Sequence, residues 1–321
     1  MTDLVVLDIG GTHARFARAT LDGARVAIGP VETLRTSDYA SLQTAWAAYA
    51  ERADAPLAPR AAIAIAAPVT GDVVRMTNNS WVLETRALDR QLGLEQVTLL
   101  NDFGAVAHAV AGAAPEDFVH LCGLETDLPE RGTISVIGPG TGLGVAHFRR
   151  DHTGTSVTAT EGGHIDFAPV DAIDDRILAD LRAQHRRVST ERVHSGPGIV
   201  PIYRALAATE NRDAPLPDDR AIWEAGLAET DMLASAAVGR FCQSLGSVAG
   251  DYALAHGAQG VAIAGGLGLR LKDRLPRSGF AERFRFKGRY EALMAALPVK
   301  LITIDEPGLI GAAHAFRQEH T

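Results

Sequence analysis

A strand, a glycine-rich turn and a second strand occur twice in this chain, and this recurrence limits its fold more than any other feature. An apolar run ends at Asp8 and continues through Gly10 and Gly11 into another apolar stretch. The same pattern returns at 138–147, about 130 residues later. Since 321 residues suffice for two domains of ordinary size, the recurrence predicts a duplicated α/β fold around a cleft.

Alternating strands and helices fill both units. Apolar runs and turn residues predict strands at 4–8, 14–19, 25–32, 60–66, 97–100, 133–137, 143–148, 261–264 and 301–304. Helical spacing predicts helices at 38–52 (with Asp38 as N-cap), 103–113, 171–185, 197–209, 218–228, 230–256 and 308–318. We expect a small domain of residues 1–110 plus a C-terminal helix at about 305–321, and a large domain of residues 111–304.

Charge and composition exclude several classes of protein. The net charge is −8 and no basic run offers nucleic-acid phosphates a partner. No apolar run approaches the about 18 residues of a membrane span, and no secretion signal opens the chain, so we expect a cytoplasmic protein. Cys122 and Cys242 are the only cysteines and lie among apolar neighbours, which predicts buried, reduced thiols and no protein-held metal.

The first glycine turn predicts a phosphate site. Gly10 and Gly11 allow a close approach to the backbone, and Thr12 adds a hydroxyl. Asp8, at the end of the preceding strand, can hold the shell of a magnesium ion near such phosphates. A plain hairpin turn remains the alternative. In an acidic chain, backbone N–H groups are the available source of positive potential for an anion.

Two further glycine clusters follow. The segment 138–144 has four glycines, including Gly140 and Gly142, around Thr141, more than a simple reversal needs. It matches neither the dinucleotide fingerprint nor a P-loop, so it predicts a second phosphate turn. Gly265 and Gly266 follow a strand; a nucleotide base or ribose could lie against them, or they could serve close strand–helix packing.

Polar residues at strand ends and in glycine turns are candidate ligands for a substrate. Asn101 and Asp102 end an apolar strand where α/β folds place binding groups, although both are also good helix caps. Glu161 and His164 flank a glycine pair and could share one pocket, although a lone histidine is often structural. Glu191 precedes another glycine turn, where an acidic residue often interacts with a helix dipole.

Taken together, these motifs resemble the bacterial glucokinase family, within the actin/hexokinase/Hsp70 superfamily of duplicated, ribonuclease H-like ATPase folds. The resemblance runs almost from end to end, and its motifs stand in the family's order. They are DIGGTHAR (8–15), AIAAPVTGD (64–72), MTNNSW (76–81), NDF (101–103), GPGTGLGVAH (138–147), EGGHIDFAP (161–169), ERVHSGPG (191–198) and AIAGGLG (262–268).

The resemblance implies roles for the matching positions. The first phosphate loop is implied for Asp8, Gly10, Gly11 and Thr12, the second for Gly140, Thr141 and Gly142, and the adenosine region for Gly265 and Gly266. The sugar-binding residues are implied to be Asn101, Asp102, Glu161, His164 and Glu191, with Asp102 as the base. His13 and Thr160 depart from the family, which usually has Asn and Gly there.

The implied activity is the glycolytic transfer of a phosphoryl group from Mg²⁺-bound ATP to the 6-hydroxyl of glucose, by a homodimer. The chain lacks the cysteine-rich zinc motif of the related repressor and sugar-kinase group, so it resembles the zinc-free glucokinases. Another hexose, an amino sugar or a polyphosphate donor stays open as an alternative. A non-catalytic sugar sensor is disfavoured, because the first strand starts at about residue 4, with no DNA-binding segment ahead of it.

Overall fold

The computed structural model describes residues 1–76 and 79–320. Thr77 and Asn78 of the MTNNSW motif lie outside the described residues. The strands are β1 Thr2–Ile9, β2 His13–Asp22, β3 Arg25–Ile28, β4 Glu32–Arg35, β5 Arg60–Ile65, β6 Val73–Arg75, β7 Val82–Glu84, β8 Gln96–Asn101, β9 Phe118–Cys122, β10 Gly132–Pro139, β11 Leu143–Asp151, β12 Gly154–Thr160, β13 Gly260–Ile263 and β14 Val299–Ile302. The α-helices are α1 Leu42–Arg52, α2 Leu88–Leu92, α3 Asp102–Gly112, α4 Ala172–Arg182, α5 Ile199–Thr209, α6 Asp219–Leu227, α7 Met232–Ala255, α8 Gly265–Arg270, α9 Phe280–Arg285, α10 Glu291–Ala295 and α11 Pro307–His320.

The chain divides into two compact units. Unit 1 comprises Met1–Ala114, Val157–Ala159 and Ile304–Thr321, and unit 2 comprises Pro115–Ser156 and Thr160–Thr303. The sequence predicts boundaries after residue 110 and before about residue 305. Nothing in its pattern indicates that the three residues at 157–159 cluster with unit 1.

The sheet of unit 1 brings three strand ends to one edge. Its order is β3-β2-β1-β5-β8, with β4 also pairing with β2. Strand β1 is antiparallel to β2 but parallel to β5, which is parallel to β8. Ile9 pairs with Ile65 and Ile65 with Asn101, so the carboxyl ends of these parallel strands lie side by side. Parallel α/β sheets bind their ligands at such an edge.

The single strand predicted at 25–32 is wrong, because two strands occupy this region. Strands β3 and β4 both pair with β2, and Pro30 lies between them. Proline has no N–H to donate to a strand ladder, and therefore it interrupts the pairing.

The predicted start of the first helix is also wrong. Asp38 ends a short 3₁₀ turn at Thr36–Asp38 and caps nothing in α1. Ser41 is the N-cap: its Oγ accepts a hydrogen bond from the Thr44 N–H at 3.3 Å. The Ser41 N–H donates in return to Thr44 Oγ1 at 3.1 Å. This reciprocal capping box fixes the start of the helix at Leu42.

Unit 2 repeats the strand arrangement of unit 1, which confirms the predicted duplicated α/β fold. Its sheet has the order β12-β11-β10-β13-β14-β9. Strand β10 is antiparallel to β11 and parallel to β13, as β1 is to β2 and β5. In both sheets, the first strand of the glycine hairpin therefore has one antiparallel and one parallel neighbour.

Glycines set the helix packing of unit 2. Helix α7 packs against α9 through Gly246 and Gly250, one helical turn apart. A Cβ at Gly246 would lie 2.3 Å from the Phe280 carbonyl oxygen, and one at Gly250 would lie 2.5 Å from that of Phe284. No side chain fits at these distances, so the small residues permit the close contact.

A buried group of charges ties three helices of unit 2 together. Asp171 and Asp174 on the α4 side face Arg240 of α7 and Arg283 of α9. Arg240 Nη1 donates to Asp171 at 2.8 Å, and Arg240 Nη2 lies 2.6 Å from Asp174, whose side chain is 2% exposed. The hydrogen bond from Arg240 holds the pKa of Asp171 well below its usual range. These charges are compensated only while all the partners are present.

None of the helices in residues 1–76 and 79–320 combines the length and the apolar character that crossing a membrane requires.

Candidate active site

The first glycine turn presents free backbone donors. The Gly10 N–H closes the turn by donating to the His13 carbonyl at 2.9 Å. This bond involves only the backbone of His13, so it does not depend on which side chain stands at position 13. Thr36 holds the other side: its N–H donates to Thr12 O at 3.0 Å and its hydroxyl to Gly11 O at 2.8 Å. Among the described residues, the N–H groups of Gly11 and Thr12 have no hydrogen-bond partner. Such a turn can bind an anion.

Asp8 lies beside this turn under the start of helix α11. Arg15 Nη1 is 3.2 Å from its Oδ2, and Arg15 Nε is 3.8 Å from Glu306. A Cβ at Gly308 would lie 2.9 Å from the Asp8 carboxylate, so the first turn of α11 packs directly on it. Burial raises the pKa of Asp8, although the Arg15 charge opposes this shift. The sequence did not reveal Glu306 and Gly308, which come from the far end of the chain.

Asn101 is the N-cap of α3, as its alternative interpretation predicted. Its Oδ1 accepts from the N–H groups of Phe103 at 2.9 Å and Gly104 at 3.0 Å. Its Nδ2 donates to the Ala67 carbonyl at 3.2 Å. An amide nitrogen has two hydrogens, so Asn101 can still donate one hydrogen bond to a ligand.

Asp102 is the first residue of α3 and is half-buried. Its Oδ1 accepts from the N–H of Phe103 at 2.7 Å. Because β1, β5 and β8 are neighbours, Asp102 and the first glycine turn lie along the same sheet edge, two strand spacings or about 10 Å apart. A carboxylate at a helix N-terminus interacts favourably with the helix dipole.

The second glycine turn is supported by Glu191. The Gly140 N–H donates to Gly142 O at 2.8 Å, and the Gly140 carbonyl accepts from the Gly196 N–H at 2.7 Å. The Leu143 N–H donates to Glu191 Oε2 at 2.9 Å. A Cβ at Gly142 would clash with that oxygen, so a larger residue there would displace the Glu191 carboxylate. Glu191 therefore holds the turn instead of pairing with a helix dipole.

This support leaves two donors of the second turn available. Thr141 is exposed, and the N–H groups of Thr141 and Gly142 have no hydrogen-bond partner among the described residues. Both glycine turns thus share one feature, which is a rigid backbone with consecutive free N–H groups.

Glu161, His164 and Glu191 come together in unit 2. His164 Nε2 is 3.8 Å from Glu161, and His164 Nδ1 is 4.0 Å from Glu191. The side chains of Glu161 and His164 are 58% and 57% exposed, so the structural alternative of a buried histidine does not apply. Two carboxylates and an imidazole can accept and donate several hydrogen bonds to a polyhydroxyl ligand.

The glycine pair between Glu161 and His164 has a packing reason. A Cβ at Gly163 would lie 2.2 Å from the Leu143 carbonyl oxygen, so the turn packs tightly on β11. Tyr252 Oη donates to the Gly162 carbonyl at 2.6 Å. Thr160, where the family usually has Gly, donates to the Val145 carbonyl at 2.9 Å and accepts from the Gly162 N–H at 3.1 Å. This substitution therefore adds support to the turn.

A buried histidine, which sequence reasoning missed, supports the turn that holds Glu191. His194 is fully buried, and burial lowers its pKa to about 4, so the ring is neutral near pH 7. Its Nδ1 faces the Thr190 carbonyl at 2.9 Å and must therefore donate, while Nε2 accepts from Ser244 Oγ at 2.8 Å. His194 lies only three residues after Glu191, but its partner Ser244 lies on a distant helix.

The two glycines of the third cluster, Gly265 and Gly266, have different surroundings. Gly265 has φ +80, and a Cβ there would lie 2.7 Å from the Pro139 carbonyl oxygen, so its place is explained by packing. At Gly266 a Cβ would meet nothing within 4 Å. Gly266 alone of this pair leaves its surface open to a ligand.

Within the described part of the chain, no three His, Cys, Asp or Glu side chains are grouped as a protein-held metal would need.

Comparison with known proteins identifies close relatives. A family model described as Glucokinase matches residues 5–319. A curated glucokinase of Zymomonas mobilis subsp. mobilis is 51% identical over 320 residues, which cover 99% of each chain. The crystal structure of a glucokinase from an Antarctic psychrotroph is 36% identical, covers 99% of both chains and has a TM-score of 0.86. A ROK family glucokinase of Streptomyces griseus, solved with glucose and AMPPNP, shares the fold with a TM-score of 0.63 at 19% identity, covering 98% of this chain and 99% of its own.

Proposed function

Since this chain belongs to the glucokinase family, we propose that it transfers the γ-phosphoryl group of ATP to the 6-hydroxyl of glucose, with Asp102 as the general base. The observation that carries the proposal is the position of Asp102, at the same sheet edge as a turn with two free N–H donors. A base beside a phosphate-binding turn is the minimum that phosphoryl transfer to a hydroxyl requires.

The two glycine turns are proposed to bind the triphosphate. The free N–H groups of Gly11, Thr12, Thr141 and Gly142 are suitable donors to phosphate oxygens. They supply positive potential without lysine, in agreement with a chain of net charge −8. Gly266, with its open surface, is proposed to lie against the adenosine, while Gly10, Gly140 and Gly265 shape the backbone. The AMPPNP bound to the Streptomyces griseus protein supports ATP as the donor.

Asp8 is proposed to be a ligand of the magnesium ion that the nucleotide brings with it. Its carboxylate ends β1 beside the first glycine turn and offers hard oxygen ligands of the kind that Mg²⁺ prefers. Burial raises the pKa of Asp8. A bound cation would oppose this shift, because an opposite charge nearby favours the ionised carboxylate. When bound, magnesium would neutralise charge between the β- and γ-phosphates.

The sugar is proposed to be held by amide, carboxylate and imidazole groups. Asn101 has one remaining Nδ2 hydrogen, and Glu161 and Glu191 each lie within 4.0 Å of His164. The 6-hydroxyl gives its proton to Asp102 as its oxygen attacks the γ-phosphorus, and ADP leaves. Each residue other than Asp102 binds and orients glucose without taking the proton.

A panel assay tests this proposal. Initial rates would be measured for glucose, mannose, fructose and glucosamine, each with ATP or polyphosphate and with Mg²⁺ present. We expect the highest kcat/KM for glucose with ATP. A higher kcat/KM for another sugar or for polyphosphate would overturn the substrate assignment.

We also propose a homodimer that works in the cytoplasm and supplies glycolysis. The proposed dimer, its compartment and its role in glycolysis rest on the family resemblance. Sedimentation velocity should give a mass of about twice the 33.9 kDa chain. A single 33.9 kDa species at micromolar concentration would contradict the dimer.

Glu191→Gln should raise the KM for both glucose and ATP, each by roughly tenfold, with a smaller change in kcat. Glu191 faces His164 with one oxygen and holds the Leu143 N–H of the second glycine turn with the other. A neutral amide weakens both contacts, since hydrogen bonds to a charged acceptor are the stronger ones. Steady-state kinetics with each substrate varied would measure the two effects.

Glu210→Gln is the matched control, because Glu210 forms an exposed ion pair with its neighbour Arg212. Its KM values should stay at wild type. An unchanged ATP KM in Glu191→Gln would show that Glu191 does not support the phosphate turn.

A further inference from the structure

A basic pocket lies at the opposite end of the β10–β11 hairpin from the second glycine turn. The hairpin pairs Pro139 with Leu143 beside the turn and Gly132 with Arg150 at the other end, seven residues or about 24 Å away. The pocket there has a volume of ≈ 600 Å³ and is lined by, among others, Arg131, Thr133, Arg149, Arg150, His152 and Gln259. This volume is in the range of small-molecule sites.

The charge of the pocket is opposite to that of the chain. Three arginines and a single carboxylate, Asp151, line it, in a protein of net charge −8. Asp151 is already engaged: Thr153 donates to one oxygen from its N–H at 2.8 Å and from its hydroxyl at 2.5 Å, and Arg149 is 3.7 Å from the other. Arg131 has no hydrogen-bond or ion-pair partner among the described residues. The pocket therefore favours an anion.

Arg150 is the most restrained of the three arginines. Its guanidinium lies 5.0 Å from the centre of the buried Phe148 ring, and Nη1 donates to the Pro129 carbonyl at 3.5 Å. Burial lowers the pKa of Arg150, while the charge of Glu130 opposes the shift. A partly desolvated guanidinium gains more from an anionic partner than a fully hydrated one does.

Hydrogen bonds hold Gln259, one of the residues that line the pocket, in place. Gln259 accepts from the Thr133 N–H at 2.6 Å and donates to the Gly257 carbonyl at 2.9 Å. Gly132 has φ +114, and a Cβ there would lie 2.3 Å from Gln259 Oε1, so only glycine permits this contact. Because Gln259 and Arg150 are already held in place, less conformational entropy is lost when a ligand binds.

We propose that this pocket binds a small phosphate monoester, at a site separate from the proposed active site. Guanidinium groups match phosphate oxygens in geometry and charge. The volume is too large for inorganic phosphate alone, and the remaining polar groups of Thr133 and His152 suit the hydroxyls of an attached organic group.

Calorimetric titration with glycerol 3-phosphate tests the site. This probe is neither of the proposed substrates, so its binding does not depend on the proposed reaction. The wild-type protein should bind about one equivalent, and Arg131→Gln/Arg149→Gln should bind at least about tenfold more weakly, because two charge-assisted contacts are lost. The kinase activity of this double variant should be that of the wild type, since neither arginine is in the glycine turns or the sugar-binding group.

Arg176→Gln/Arg220→Gln is the matched control, because these arginines pair with Asp180 and Glu224 on the surface of the same unit. It should bind the probe as the wild type does. The proposal is overturned by a lack of binding at millimolar probe, by equal weakening in both double variants, or by equal affinity for inorganic phosphate.

Discussion

Asp102→Asn is expected to lower kcat by roughly 10²–10⁴-fold while leaving glucose affinity close to that of the wild type. The amide has the shape of the carboxylate and still forms hydrogen bonds, but it cannot accept a proton near pH 7. A loose transition state needs little proton transfer early, so the loss should lie toward the lower end of this range. The two quantities to measure are kcat and the calorimetric Kd for glucose, on protein shown to be folded by circular dichroism.

Asp219→Asn is a matched control for this variant. Asp219 is the first residue of α6, as Asp102 is the first residue of α3, and both are half-buried. The control reports the cost of losing a carboxylate at a helix start, and its kcat should be unchanged. If Asp102→Asn keeps more than about a tenth of wild-type kcat, Asp102 is a binding or capping residue and not the base.

Arg240→Ala should lower the free energy of unfolding by about 3–5 kcal/mol. Arg240 is 7% exposed and pairs with Asp174, which is 2% exposed, and with Asp171. Removing it leaves the buried carboxylate of Asp174 and the partly exposed carboxylate of Asp171 without their main partner. Urea unfolding followed by circular dichroism at pH 7 would measure the change.

Arg176→Ala is the corresponding surface control, because Arg176 pairs with Asp180 at 3.0 Å with half of its side chain exposed. Its cost should be below about 1 kcal/mol. An equally small loss in Arg240→Ala would mean that the buried group contributes little to stability.

The same group predicts a pH dependence. The folded-state pKa of Asp171 lies below its usual value, chiefly because of the hydrogen bond from Arg240. Its contribution to stability is therefore complete above the unfolded pKa of about 4 and is lost as the pH falls toward the folded value. In Arg240→Ala this part of the acid sensitivity between about pH 4 and pH 2 should be reduced.

Local patterns in the sequence were enough to predict the parts of the fold that local chemistry determines. The two hairpins carry buried strands on each side of glycine turns, and both occur where the sequence predicted them. The helix start at Leu42 was missed because Ser41 and Thr44 form a capping box without the usual Glu or Gln. Pro30 was the available signal that one predicted strand would be two.

Long-range contacts explain what the sequence did not reveal about the candidate site. Glu191 was expected near the sugar, but its bond to Leu143 and its contact with Gly142 depend on the folded chain. Gly308 packs on Asp8 from the other end of the sequence. Periodicity and motif spacing contain no information about such pairs, because each partner has an ordinary local role.

The identity of the product tests the proposed phosphoryl transfer. Wild-type protein would be incubated with ATP, Mg²⁺ and glucose, and the mixture followed by ³¹P nuclear magnetic resonance. We expect equal amounts of ADP and glucose 6-phosphate, and almost no product in the same time with Asp102→Asn. A phosphate at another hydroxyl, or inorganic phosphate in place of a sugar phosphate, would contradict the proposed transfer to the 6-hydroxyl.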